Sequence, residues 1–307
     1  MARYLIGRAL GLIFVLFAVS LVTFFLTRAV PGDPFASGER ELPQATQEAR
    51  AAKYGFDQPL LVQYGRYVWN VLHGDFGVPF QSPSQTVVDL IRDTWPVTMR
   101  IGALTILISY PLGVLLGLAA ALHRNSWIDY VVTFGSTLGM VLPNFVVAIW
   151  LILLFSVSLS WLPTGGWGTP AHLVLPVIAY SLLPTSLVAR YTRVSLLESM
   201  SADYVRTARA KGLAERRVLV WHIARNALIP FVTIMIPEIP NILTGSIFIE
   251  QIFRIPGLGR FFVSSTLTRD YPMILALVLL VAVVWGITYL LTDILYTLLD
   301  PRIRLVS

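Results

Sequence analysis

The chain has 307 residues, 56% of them hydrophobic and only 13% charged, with a mean hydropathy of +0.71. About a quarter of the residues of a soluble domain are charged, so this composition excludes a soluble globular fold. It predicts a polytopic membrane protein whose backbone polar groups are satisfied within helices. No cysteine is present, which excludes a disulfide, a thiolate metal site and a cysteine nucleophile.

Spans are expected where about 20 mostly apolar residues run together. The first is 10–30. Arg3 and Arg8 precede it, as they would in a cleaved signal peptide. However, the run exceeds a signal h-region, and Pro31-Gly-Asp-Pro34 follows without a small-x-small cleavage site. A retained helix with its N-terminus inside is the expectation. Residues 31–97 form a polar, Pro- and Gly-punctuated extracytoplasmic segment. Within it, Leu60, Leu61, Tyr64, Tyr67, Val68, Val71 and Leu72 recur at helical spacing over Pro59–His73. This predicts an interfacial helix with Trp69 near the headgroups, either touching a soluble receptor or capping the bundle. Five further spans are expected at 98–122, 130–158, 172–196, 227–249 and 272–298. The predicted architecture is therefore all-α with six transmembrane helices: an N-terminal helix (1–30), the segment 31–97, a five-helix core (98–299) and a tail (300–307).

Charge orients the bundle. With the N-terminus inside, the inner segments hold 13 of the 23 basic residues and 6 acids, a net charge of +7. The outer segments hold 10 basic residues and 10 acids, and Glu238, inside a span, supplies the remaining negative charge. Positive residues mark the cytoplasmic side, so the overall charge of +6 needs no nucleic-acid partner.

One polar stretch interrupts the core, Ser201–Arg217. It reads as a short helix followed by a loop. Ser201 or Asp203 is expected to cap its start, Asp203 and Lys211 suit the two ends of the helix dipole, and Gly212 suits the left-handed residue that ends a helix. Tyr204, Ala208 and Lys211 share one face at helical spacing, available to a partner. An ordinary basic loop between spans is the competing reading.

Elsewhere, Gly113…Gly117 and Gly135…Gly139 are small-xxx-small patterns suited to close helix approach. Pro111, Pro143, Pro176, Pro184, Pro230, Pro237 and Pro240 lie in or at the ends of spans, where each removes a backbone donor. Helices kinked there suit either a solute pathway or a static bend. Glu238 is the one ionisable residue deep within an expected span, with Asn241 one turn on. A charge at that depth usually faces a cavity or a partner. Glu238, Asn241, Pro237, Pro143 and Asn144 are the candidate pathway or gate residues, and a buried structural carboxyl is the alternative for Glu238.

Tyr204-Val-Arg-Thr-Ala-Arg-Ala-Lys-Gly-Leu213, followed by Arg225-Asn-Ala-Leu-Ile-Pro230, resembles the cytoplasmic coupling segment of ABC-importer permeases, in particular the dipeptide/oligopeptide/nickel branch. The wider family opens this motif with Glu-Ala-Ala, where this chain has Arg206-Thr207-Ala208. Its spacing from Gly212 to Pro230 is also longer, and both departures are typical of the peptide branch. Pro31-Gly-Asp-Pro34, Gly74-Asp-Phe-Gly77, Trp161–Gly166, Glu250–Arg260 and the tail Asp293–Arg304 resemble the same branch.

The resemblance implies the type I importer (MetI-like) permease fold in a bacterial cell membrane, with both termini cytoplasmic. It implies a second homologous permease, two cytoplasmic ATPase subunits that hold ATP and Mg, and an extracytoplasmic binding protein delivering short peptides. Relatives also handle nickel, glutathione or haem. Tyr204, Ala208 and Gly212 would give fit to an ATPase groove, and Arg206 and Arg209 polar contact. Glu250, Phe253, Pro256, Gly257 and Gly259 would sit in an outer loop near the binding protein. Family members usually carry apolar or small residues where this chain has Glu238.

The chain has no Gly-x-x-x-x-Gly-Lys-Ser/Thr phosphate loop and no His-Glu-x-x-His pair, and His73, His123, His172 and His222 are scattered across different loops. No cofactor, no metal and no catalytic residue are expected on this chain. A self-sufficient secondary transporter would need coupling charges in the membrane, and only Glu238 qualifies. An intramembrane enzyme would need a buried nucleophile–base or metal pair.

Overall fold

The computed structural model describes residues 2–30, 55–80, 84–224, 226–227 and 235–299. The Pro31–Pro34 motif, Arg225, Pro230 and the tail with Arg302 and Arg304 lie outside the described residues. Helices account for nearly all of the regular structure, and no strand occurs among the described residues. In chain order the main helices are α1 (Ala2–Ala29), α2 (Leu60–Leu72), α3 (Val87–Leu122), α4 (Trp127–Val141), α5 (Asn144–Leu151), α6 (Ala171–Met200), α7 (Asp203–Ala210), α8 (Ile239–Leu243), α9 (Ile247–Ile252), α10 (Gly259–Leu267) and α11 (Tyr271–Leu299).

Four of these are long and apolar enough to cross a membrane: α1, α3, α6 and α11. The expected span 130–158 is two helices, α4 and a segment formed by α5 with the π turn Ile152–Ser158, bent by 104°. The cause is local: Leu142 ends α4 in extended backbone and Pro143, at φ −60 and ψ 135, starts α5 anew, because a proline lacks the donor that would continue α4. The expected span 227–249 is also broken. Its described part comprises a 3-10 turn (Ile236–Glu238), α8, and α9 beyond Gly245 at φ +90. The described residues thus carry four spans, or five with the bent pair counted as one. Pro111, Pro176 and Pro184, by contrast, sit inside uninterrupted helices. His172 and His222 lie in helical turns rather than loops.

The contacts divide the chain into two compact units. One draws on residues 2–97 and 257–290. There α2 lies on α1 through Phe24, Tyr64 and Leu275, with Leu21, Phe25, Tyr67 and Val68 around them. Ser20 Oγ and Tyr64 OH share a hydrogen bond of 2.8 Å. Arg28, near the end of α1, lies 4.3–4.8 Å from the rings of Phe24, Phe56 and Tyr271 and donates to Gln63 Oε1 at 3.1 Å. Cation–π contact replaces water around that charge. Tyr64 is the side of α2 that is buried, while Leu61, Trp69 and Leu72 are exposed. The start of α3 is held by a reciprocal cap: Asp89 N–H donates to Thr86 Oγ1 and Thr86 N–H to Asp89 Oδ2, both at 3.2 Å.

The other unit draws on residues 98–256 and 291–299. α6 is its centre, with α3, α4 and α5 packed around it. A Cβ at Gly113 would lie 2.5 Å from Val188 Cβ, and one at Gly117 2.5 Å from Ala189 O, so these two glycines are where α3 backbone meets α6. Gly139 of α4 meets Ser186 and Leu182 in the same way, but Gly135 faces open space. The second small-xxx-small pattern is therefore half used. A 30-residue helix such as α6 is about 45 Å long, more than the roughly 30 Å apolar thickness of a bilayer. It is long enough to extend past that layer, and its C-terminal end carries α7.

Candidate functional site

The site begins at the end of α6. Ser201 does not cap α7; its hydroxyl donates to Glu198 O at 2.8 Å and closes α6 instead. Ala202 is the N-cap residue, with no side-chain hydrogen bond, and Asp203 is already the first residue of α7. Neither expected cap is used, because the two helices are joined by a single extended residue, Ala202 at φ −71 and ψ 149, which leaves Ser201 in the turn of the preceding helix.

The other end follows the expectation. Gly212 has φ +75, its N–H donates to Arg209 O at 2.9 Å, and Leu213 N–H reaches back to Ala208 O at 3.4 Å. This pair of bonds is the Schellman arrangement that satisfies the last carbonyls of a helix. Leu213 then packs against the cluster formed by Ala121, Leu196, Val205, Ala208, Val218, Ile223 and Ala227.

α7 is therefore docked by one face. Val205 is 0% and Ala208 5% exposed, whereas Tyr204 is 41% exposed and Arg206, Arg209 and Lys211 are open to solvent. The expected shared face of Tyr204, Ala208 and Lys211 is split. Ala208 points into the protein, since with Val205 it supplies the apolar stripe that an eight-residue helix needs to stay folded.

Arg209 closes the following loop with a fork on Glu215, at 2.5 Å from Nη2 to Oε1 and 3.1 Å from Nε to Oε2. That hydrogen bond, with the charge of Arg209 behind it, holds the Glu215 carboxyl below its ordinary value of 4.5 and raises the guanidinium of Arg209. The sign is that of a depressed acid: the stabilisation is present above the ordinary carboxylate pKa and lost as pH falls through the lowered one. Both groups are exposed, so the effect is small. Hydrogen exchange across 209–217 is expected to be steady, after correction for intrinsic rate, from pH 8 to 6 and to accelerate below about pH 4.5.

A second feature escaped the sequence reading. Arg193 Nε and Nη2 donate to Asp129 Oδ1 and Oδ2 at 2.5 and 2.8 Å. Asn125 N–H adds a 3.0 Å bond, Thr133 Oγ1 one of 3.3 Å, and the Asp129 side chain is only 4% exposed. The fork ties the start of α4 to α6 about two turns before the end of α6. Removing one partner of such a pair strands the other charge and costs about 3 kcal/mol. Arg193→Ala is therefore expected to lower the thermal midpoint of the detergent-purified chain by several degrees. Adding Asp129→Asn to it is expected to recover part of the loss.

A cavity of about 160 Å³ lies where the chain is most broken, lined by Tyr110, Asn144, Tyr180, Glu238 and Asn241 with Leu183, Pro184, Leu187, Met235 and Ile242. Asn241 Nδ2 donates to Glu238 Oε2 at 3.1 Å. Tyr110 OH donates to Met235 O at 2.8 Å, and Tyr180 OH to Asn241 O and Ile242 O at 3.1 and 3.3 Å. The Tyr180 hydroxyl thus serves carbonyls in the last turn of α8, where the helix supplies no further N–H donor. Asn144 Nδ2 donates to Ser246 Oγ at 3.3 Å, and that same oxygen caps α9 by accepting from Ile249 N–H. Of the five candidate pathway residues, Asn144, Glu238 and Asn241 line the cavity; Pro143 and Pro237 start the helical pieces that shape it.

The outer-loop candidates are mostly buried. Glu250 is 3% exposed and accepts from Thr98 Oγ1 at 2.8 Å, and Phe253 is 1% exposed. Gly257 and Gly259 are buried and Pro256 is half-buried. The Trp161–Gly166 segment lies on this loop, with Gly166 N–H donating to Phe253 O at 2.7 Å. Glu250 and Phe253 therefore hold the first part of this stretch, through Thr98 and Gly166. Gln251, Arg254 and Arg260 face outward; the sequence reading passed over them because scattered polar residues carry no distinguishing pattern.

Residues 113–305 match the family described as binding-protein-dependent transport system inner membrane component, and residues 1–102 match the N-terminal family of the same transport-system membrane components. The dipeptide transport system permease protein DppB of Bacillus subtilis is 40% identical over 305 residues, 99% of each chain. The oligopeptide transport system permease protein OppB of Salmonella typhimurium is 40% identical over 306 residues, 99% of this chain and 100% of its own. A solved structure of the inward-facing MetNI methionine ABC transporter aligns with a TM-score of 0.53 over 70% of this chain and 96% of that one. At 17% identity this shows a shared fold. With its helices, its short docked segment and its likeness over the full length, the chain belongs to the family of binding-protein-dependent transport system inner membrane components, as a multi-pass permease subunit rather than an enzyme.

Proposed function

We propose that the chain forms half of the translocation pathway of an ATP-driven importer for dipeptides and short oligopeptides in a bacterial cell membrane. The observation that carries this reading is full-length likeness, at 40% identity, to relatives named for dipeptide and oligopeptide transport. Its partners are a second homologous permease, two cytoplasmic ATPase subunits that bind ATP and Mg, and an extracytoplasmic binding protein; the chain itself holds no cofactor. The excess of basic residues on the segments bearing α7 supports cytoplasmic termini.

In this reading the exposed side of α7, with Tyr204, Arg206 and Arg209, sits in a groove on an ATPase subunit. Ala208 and Gly212 set the shape of the segment from behind. Val205 and Ala208 pass the movement of the ATPase to α6 through the cluster beneath them, and Arg193 links α6 to α4. The pathway alternates between two packings that ATP and the loaded binding protein bias differently. Asn144, Glu238 and Asn241 face the pathway, and the outer loop of Glu250–Gly259 lies near the binding protein with Arg254 exposed.

The test is reconstitution. Proteoliposomes holding this chain, the second permease and the ATPases are expected to import a labelled tripeptide only with ATP and the binding protein. Uphill uptake by this chain alone would end the proposal. Uptake of nickel, glutathione or haem in place of peptide would reassign the cargo.

A further inference from the structure

We infer that the Glu238 cavity is a cation subsite that takes the amino-terminal ammonium of a peptide in transit; this rests on the reading that the pathway carries peptides. The first observation is an inventory of donors and acceptors. Both tyrosine hydroxyl protons are given to backbone carbonyls, and Asn144 and Asn241 each spend an N–H on Ser246 and Glu238. On a wall that is otherwise apolar, the polar groups keep two amide N–H donors but more acceptors: a carboxylate with about four lone-pair sites, one of them taken by Asn241, and two amide oxygens. No lysine or arginine stands among the described residues that line it. Such a wall suits a guest that brings several N–H donors and a positive charge, and it repels a peptide's carboxyl terminus.

The second observation is that the carboxylate is aimed. Glu238 ends a 3-10 turn that begins after Met235, and α8 restarts at once with Pro240 in its first turn. Asn241, three residues on, orients the carboxylate across that junction, and Tyr180 pins the carbonyls of Asn241 and Ile242 from α6. Isolated carboxylates at membrane depth are costly, so one held this way on a broken helix is built to meet a counter-charge. A volume of about 160 Å³ equals roughly five waters at about 30 Å³ each. That admits an amino group and its first residue, not a whole peptide.

The decisive comparison is between charge and shape. In the reconstituted transporter, at saturating peptide-loaded binding protein, Glu238→Gln keeps shape and removes charge, while Glu238→Asp keeps charge and shortens the arm. Uptake of a free-amine tripeptide is expected to fall at least tenfold in E238Q and less in E238D, as for loss of a charge-assisted hydrogen bond. Preference for the free-amine peptide over its N-acetylated form is expected to shrink in E238Q. The binding protein's own preference is common to all variants and cancels. Uptake by E238Q equal to wild type, or greater than by E238D, would overturn the inference and leave the importer standing. So would E238Q that loses nickel(II) uptake but keeps its preference for free amines. Failure of both variants to copurify with the ATPases would make Glu238 structural and also overturn it. A wild-type complex that imports no peptide would instead defeat the reading on which the inference rests.

Discussion

Val205→Asp is expected to abolish uptake while leaving the chain inserted in the membrane. Val205 is 0% exposed in the cluster that fastens α7 to the end of α6. A carboxylate there has no partner, and burying it costs several kcal/mol. α7 has eight residues, too few to stay helical once undocked. The ATPases would then turn against a loose segment. Vesicles carrying the assembled complex should show ATP hydrolysis that no longer responds to the loaded binding protein, with uptake at background. Gly212→Val is expected to act the same way but more weakly. A side chain at φ +75 is strained by about 1–3 kcal/mol, yet nothing lies within 4 Å of where its Cβ would go. If Gly212→Val proved the more damaging of the two, ending the helix rather than docking it would be what transmits the motion.

The second large effect is expected at the α3–α6 seam. Gly117→Leu places a side chain where even Cβ would lie 2.5 Å from Ala189 O and 2.7 Å from Thr192 Cβ. The first obstacle is backbone and cannot swing away, so the helices must part. Overpacking that moves backbone costs about 1–3 kcal/mol for a few methylenes, and a leucine adds four carbons here. Little folded protein should survive detergent extraction, judged by a monodisperse elution profile. Gly135→Leu is the matched comparison, since no atom lies within 4 Å of its Cβ position, and it should elute as wild type. Equal behaviour of the two variants would show that α3 and α6 do not approach as described.

These expectations divide cleanly by where their signal comes from. The membrane class, the spans α1, α3, α6 and α11, and the polar segment 201–217 all follow from hydropathy and spacing, which act on residues near one another in the chain. The left-handed turn at Gly212 follows in the same way, because a helix end is a local backbone event. The local arguments fell short where a proline offered two outcomes. Pro143 and Pro237 stand at breaks while Pro176 and Pro184 ride inside α6, since a lost donor is tolerated when neighbouring helices hold the backbone in place.

Taken alone, then, the amino-acid order determined what kind of protein this is, which family it resembles and which segment stands apart from its spans. Only the tertiary structure decided which side chains that segment turns inward, that Glu250 is sealed against Thr98, 152 positions away, and that Asp129 meets Arg193 across 64. It also decided that Glu238 looks into a cavity it shares with Tyr110, Asn144, Tyr180 and Asn241. The reason is physical: hydrogen-bond pairing and burial are fixed by distance in space, and a periodic apolar pattern says which residues leave water without saying what they meet when they do.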